Sequence, residues 1–249
     1  MGAIRLDKYL AESGAGTRSE VKKLIGKGRI RVNGIVADNA GMKLSPEDVV
    51  SLDGEELVHE SYSYFMLNKP RGVVSATEDG LNKTVLDILK NEKARGLFPV
   101  GRLDKDTEGL LVITNNGGLS HRLLTPNKHV SKTYFVIATE ALSEEAFGKI
   151  RSGIDIGEDK PCKEAKIEPV SACDEITASD GEVITGPSYR LTITEGKYHQ
   201  VKRMFHVCGS EVIYLKRESM GDLKLDKSLK CGEYRKLKED EIRLLEDSI

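Results

Sequence analysis

Two carboxylates, Asp104 and Asp106, stand in the decapeptide GRLDKDTEGL (101–110), interleaved with Arg102 and Lys105 and followed at once by the apolar run LVIT. An unbroken apolar run bounded by turn residues reads as a buried strand. The acids therefore lie in a loop displayed from a rigid frame, a placement that suits catalysis. A carboxylate held there can serve as a nucleophile, as a base, or as the electrostatic partner of an electron-deficient centre. The two together could also form a general acid/base pair of the glycosidase kind, but two loop positions do not fix the separation that such a pair requires. Aspartate is common in loops for a plainer reason as well, since its side chain hydrogen-bonds the local backbone.

A second chemical feature is basic. Between Arg18 and Arg31, the residues Arg18, Lys22, Lys23, Lys27, Arg29 and Arg31 face a single acid, Glu20. Positive charge gathered on one small element is the footprint of phosphate contacts, although a solvated helix face gives the same count. The net charge of −2 hides this asymmetry, because Glu239, Asp240, Glu241, Glu246 and Asp247 crowd the far end.

Length and composition limit the remaining possibilities. A chain of 249 residues exceeds the usual single domain, so a large domain with a small one is expected, here 1–60 and 61–249. There is no apolar run long enough to span a membrane and no secretory signal at Met1, so a cytoplasmic protein without membrane contact is expected. The four cysteines, Cys162, Cys173, Cys208 and Cys231, form no CxxC pair and have no histidine at metal spacing, which argues for reduced thiols and against zinc.

The elements that must position these residues are legible in outline. Leu6, Tyr9 and Leu10 recur at helical spacing before Gly14, and Thr17 with Glu20 forms a capping box ahead of Val21, Leu24 and Ile25. Asn33-Gly34 between IRV and IVA predicts a two-residue hairpin, and DVVSL supplies a further strand. A polar linker over 58–63 follows. YFMLNKPRGVVSA then reads as strand, Lys-Pro-Arg-Gly turn and second strand, and Thr84 caps a helix through Leu89. KTYFVIA, YRLTITEG and EVIYLKR are expected strands. SEEAFGKIRSG is an expected helix with Ser143 at its cap, and YHQVKRMFHVCG one closed at Gly209. The polar stretch 171–187 reads as an exposed hairpin or loop. The class is α+β.

The segment RLDKYLAESGAGTRSEVKKLIGKGRIRVNG resembles the small RNA-binding module named after ribosomal protein S-four. That resemblance implies that Lys22, Lys23 and Lys27 grip structured RNA through its backbone. The rest of the chain resembles the pseudouridine synthases, in the branch acting on ribosomal RNA, through LNKPRG (67–72), GRLDKDTEGLLVITNNG (101–117), KTY (132–134), EGKYHQVKRM (195–204) and LKRESMGDLKL (215–225). The KYHQVKRM wording is nearest to the enzymes of the small-subunit (16S) RNA, the RsuA type.

The resemblance implies a mixed, mostly antiparallel sheet flooring an RNA-binding cleft, and an isomerisation that needs neither cofactor nor metal. It places the catalytic carboxylate on Asp104 and leaves Asp106 without that role. A base-packing, proton-handling tyrosine falls on Tyr134, and a basic partner of Asp104 falls on Lys202, where relatives often have arginine. Arg102 matches the side chain that fills the gap left by a flipped uridine, and Leu215 an apolar residue at the pocket floor. Lys197, His199 and Arg203 would present a basic face to phosphates. The expected partner is ribosomal RNA, bound by a monomer. Two other readings stay open: a large-subunit enzyme of the same family, and a non-catalytic RNA-binding or ribosome-assembly protein.

Overall fold

Thr17 and Glu20 cap each other, the Glu20 amide donating to Thr17 Oγ1 at 3.3 Å and the Thr17 amide to Glu20 Oε2 at 2.8 Å. The helix they start, Arg18–Gly26, packs Val21 and Ile25 against Leu6 and Leu10 of the helix Leu6–Glu12. The computed structural model describes residues 4–45, 47–57, 62–125, 128–170 and 175–249. It divides into two compact units, Met1–Ser61 and Tyr62–Ile249. The expected linker falls mainly on 58–61 and the start of the polar stretch on 171–174, with Cys173, all outside the described residues.

In the first unit the hairpin forms where Asn33-Gly34 requires it, with φ of 51° and 81°, joining Ile30–Val32 to Ile35–Val36. Positive φ at both turn residues matches the strand twist, which is why this dipeptide sets the register. Val50–Leu52 and Glu55–Leu57 complete a four-stranded sheet. Lys22, Lys23 and Lys27 are all exposed.

The second unit is built on one nine-stranded sheet. Its main path runs Lys166–Pro169, Ser188–Ile193, Lys132–Ala138, Val212–Met220, Glu108–Thr114, Tyr64–Lys69, Tyr234–Lys236. Every neighbouring pair is antiparallel except one. Val212–Met220 and Glu108–Thr114 run parallel, through Lys216 opposite Glu108 and Arg217 opposite Gly109. The contact is close: a Cβ on Gly109, whose φ is 100°, would lie 2.3 Å from the Arg217 carbonyl oxygen. Beyond it Arg217 Nε donates to the Leu110 carbonyl at 2.8 Å, where the backbone ladder has ended.

All seven residues of Glu108–Thr114 are buried, as the apolar run predicts for a central strand. On one face Leu111, Ile113, Val136, Leu191 and Leu215 pack against Phe147 and Ile150 of the helix Glu144–Ser152 and Met204 and Phe205 of the helix Gln200–Val207. Each such side chain contributes roughly 1.5–3 kcal/mol when fully buried. One expected strand is missing. Over 73–76 only Val74 makes an isolated bridge, to Thr84, because this segment is occupied in holding the acidic loop: the Gly72 amide donates to the Lys105 carbonyl at 2.9 Å, and Ser75 Oγ donates to the Leu103 carbonyl at 2.8 Å. Among the described residues no helix is long and apolar enough to cross a membrane.

Candidate active site

The parallel seam in the sheet decides where the acidic loop emerges. Residues 101–107 lead into Glu108 at that seam and are fixed from behind by Lys69, the last residue of the strand Tyr64–Lys69. Lys69 is completely buried, and its ammonium donates to the carbonyls of Thr107 (2.9 Å), Asp104 (3.0 Å), Pro70 (3.1 Å) and Lys105 (3.2 Å). Burial pulls its pKa down to about 8, against the opposing pull of Asp106, Asp104, Cys231 and Glu108. A single cation thus gathers the carbonyls of the loop into one curve and leaves the Asp104 side chain pointing outward, about 29% exposed.

Across from the loop, the helix Gln200–Val207 brings Lys202, with His199 in the left-handed conformation (φ 49°) at its start. Lys202 Nζ lies 3.5 Å from Asp104 Oδ2, and His199 Nε2 lies 3.5 Å from Asp104 Oδ1. The stronger contact of Lys202 is with Asp106, at 2.6 and 2.7 Å to its two oxygens. Burial alone would raise the Asp106 pKa, but the hydrogen bond and charge of Lys202 outweigh it and hold the carboxyl below its ordinary range. Lys202 is therefore shared between two acids rather than devoted to Asp104. His199 sits beside the acid rather than on a helix face, its ring stacked on Tyr198 at 3.9 Å.

These residues border a pocket of about 90 Å³ whose wall includes Arg102, Asp104, Thr107, Tyr134, Lys202 and Leu215. Tyr134 and Leu215 come from neighbouring strands and are 9% and 6% exposed, so they show only an edge to the space. Arg102 is exposed, two residues before the acid. Arg203 is directed elsewhere: it pairs with Glu158 and donates to the Ile156 carbonyl. Lys197 donates to the carbonyls of Lys160 and Pro161. Both side chains hold neighbouring loops in this way.

The Lys69 clamp was not singled out from the sequence. Its signals were a lysine directly before proline at the end of an apolar strand and its place in the LNKPRG motif. Thr107 also escaped notice; it is 1% exposed, lines the pocket and leaves its Oγ1 without a hydrogen-bond partner. Among the described residues no three potential metal ligands come together.

Comparisons with known proteins agree on one description. A family model for RNA pseudouridylate synthase matches residues 63–207, and one for the S4 domain matches residues 4–50. The chain is 45% identical over 246 residues to a protein of Bacillus subtilis named as an uncharacterized RNA pseudouridine synthase, YtzG, covering 98% of this chain and 99% of that one. It is 39% identical over 240 residues to ribosomal small subunit pseudouridine synthase A of Escherichia coli, covering 96% and 98%. Among solved structures, a crystal structure of a pseudouridylate synthase superposes with a TM-score of 0.66 at 38% identity, over 97% and 99% of the two chains.

Proposed function

The chain belongs to the RNA pseudouridylate synthase family, with an S4 module ahead of the catalytic unit, and from that premise we propose that it converts one uridine of small-subunit (16S) ribosomal RNA to pseudouridine, using Asp104 as the reacting carboxylate. The observation that carries this reading is the position of Asp104: partly exposed at a ring-sized pocket, its backbone clamped by Lys69 and its oxygens faced by Lys202 and His199. The choice of 16S RNA is supported by small-subunit enzymes of two bacteria that match nearly the whole chain, those of Escherichia coli and Haemophilus influenzae.

In the reaction the bond from N1 to the sugar C1′ breaks, the base turns, a bond from C5 to C1′ forms, and the proton on C5 is lost while N1 gains one. A stacked base cannot offer C1′ to a carboxylate, so the uridine is flipped out of the RNA. Arg102, exposed at the rim, fills or props the space it leaves. Asp104 meets the electron-deficient sugar carbon, as nucleophile or as compensating charge. Lys202 and His199 face that carboxylate and keep it aimed. The Tyr134 ring and Leu215 hold the detached base during its turn, and the phenol takes part in moving the C5 proton. No step changes oxidation state. The enzyme works as a monomer in the cytoplasm.

Single-turnover conversion of 16S and 23S transcripts, with pseudouridine mapped in each, is the test. Asp104→Asn should abolish product and leave RNA affinity within about twofold, since the substitution keeps shape and removes only the carboxylate. Retained turnover in that variant would refute the assignment of Asp104. Product in 23S RNA alone would move the enzyme to the large subunit.

A further inference from the structure

The sheet face opposite Asp104 carries a second and larger cavity, about 1030 Å³. Its floor consists of Thr133, Phe135, Arg190, Thr192, Tyr214 and Lys216, the residues that two-residue alternation sets against Tyr134, Leu191 and Leu215. Its rim is the segment 224–231, which contributes Lys224, Lys227 and Lys230.

The charges around this space do not cancel. Glu218 accepts from Arg190 Nε at 2.7 Å, and Asp226 from Arg235 Nε at 2.8 Å. Glu108 is enclosed, with Oε2 accepting from the Tyr214 hydroxyl and Oε1 from the Ser179 amide, both at 2.8 Å. Arginines offset Glu218 and Asp226, whereas Glu108 is bonded only to neutral groups; Lys216, Lys224, Lys227 and Lys230 have no ion-pair partner among the described residues. Four ammonium groups against that one carboxylate, in a chain whose net charge is −2, leave a local positive field that favours an anion.

The rim is also held in place. Asn68 Nδ2 donates to the Leu229 carbonyl at 2.8 Å, the Gly232 amide to the Asn68 carbonyl at 2.8 Å, and the Lys230 amide to Glu233 Oε2 at 2.9 Å. Asn68 itself, 4% exposed and part of the cavity wall, leaves its Oδ1 acceptor without a partner. A cavity of this size lies at the upper end of those that enclose small organic ligands, roughly 300–1,000 Å³. Its combination of an orphan acceptor in the wall and a lysine rim fits a nucleotide.

We infer that this cavity is a second RNA-binding site, taking an unpaired stretch of the same ribosomal RNA whose uridine enters the Asp104 pocket. Its phosphates lie against Lys224, Lys227 and Lys230, and a base enters the cavity with an N–H turned toward Asn68. An unpaired strand is required because the bases of a duplex are stacked inward and cannot enter a concavity. The inference rests on the reading of the chain as a ribosomal RNA enzyme. It concerns a surface that takes no part in the chemistry.

The experiment compares the full chain with two triple variants, Lys224→Glu/Lys227→Glu/Lys230→Glu and the same three lysines replaced by arginine. Binding to a full-length 16S transcript is measured from about 50 to about 200 mM salt, where affinity reports counterion release. Three phosphate contacts on single-stranded RNA predict a log-log slope shallower by about 2 in the glutamate variant, at roughly 0.7 per contact, with the arginine variant matching the parent. An unchanged slope in a glutamate variant that unfolds at the parental temperature would overturn the inference. Equal losses in both variants would overturn it too, since charge would then not be what matters. Pseudouridine mapped in the same samples keeps the outcomes separate: a parent that modifies no RNA refutes the proposed function, while the slope difference is read without it.

Discussion

Replacing Lys69 by methionine removes an ammonium group that donates to four loop carbonyls and leaves an apolar side chain of similar length in the same buried channel. The ammonium has three protons, and hydrogen bonds to a charged group contribute about 1.5–3 kcal/mol each, so their loss costs about 5 kcal/mol at the lower end of that range. The opposing term is the burial of the charge. Holding a proton on a group whose pKa has dropped from 10.5 to about 8 costs about 3 kcal/mol at neutral pH, at about 1.4 kcal/mol for each tenfold change in proton affinity. The variant escapes that cost, so the net loss is about 2 kcal/mol, or a Tm lower by about 4–8 °C for a chain of this size.

The effect on catalysis is larger, because the clamp shapes the backbone that carries Asp104. A displacement of about 1 Å at a reacting group costs about a hundredfold. Lys69→Met is thus expected to lower the single-turnover rate about a hundredfold with RNA affinity unchanged. Stability against pH gives a second readout. The folded-state pKa is depressed, so between about 8 and 10.5 the unfolded chain binds more protons, and this group's contribution to stability rises with pH through that window. Lys132, buried beside Arg217 and Lys163 and likewise pulled down to about 8, first by desolvation and then by those cations, adds a rise of the same sign. The rate should move the other way in the parent protein, falling above pH of about 8 as Lys69 loses a donor. A methionine variant with parental rate and parental Tm would refute the clamp.

The remaining predictions concern the site and the small unit. Lys202→Met should slow pseudouridine formation at saturating enzyme about tenfold or more and add little when combined with Asp104→Asn, because it acts through that carboxylate; additive losses in RNA binding would mark it as a phosphate contact instead. Asp106→Asn, by contrast, should keep substantial activity, and a loss equal to that of Asp104→Asn would restore the paired-carboxylate reading. Tyr134→Phe keeps the ring and should reduce the chemical step far more than binding, as read by single-turnover rates against affinity. Replacing Lys22, Lys23 and Lys27 together should flatten the salt dependence of RNA binding without unfolding the chain, since all three are exposed. Arg29 should matter less, because Asp53 already pairs with it.

Much of the local structure was settled by residues a few positions apart. Thr17 and Glu20 start their helix from a separation of three, and Asn33-Gly34 turns its hairpin through two backbone angles. The run LLVIT, short and bounded by turn residues, reads as a buried strand, and all of it is buried. The motif around Asp104 likewise marked the loop that borders the pocket, and those around Tyr134 and Leu215 marked its wall.

Folding alone decided how distant pieces meet. Lys202 lies 96 residues from Asp106, and no local pattern tells which of two neighbouring acids it will approach more closely; that depends on where the helix Gln200–Val207 lands over the seam. The parallel pairing of Lys216 with Glu108 is invisible in either strand by itself, because alternation fixes which face a side chain takes and leaves the neighbour strand undetermined. The same limit applies to VVSA, whose β-prone residues became a brace for residues 103–105 once the acidic loop offered them better hydrogen bonds than a sheet edge. It applies most of all to Lys69. Lysine before proline reads as a surface turn in one dimension, and only a tertiary loop that presents four carbonyls to one point can compensate a buried ammonium there.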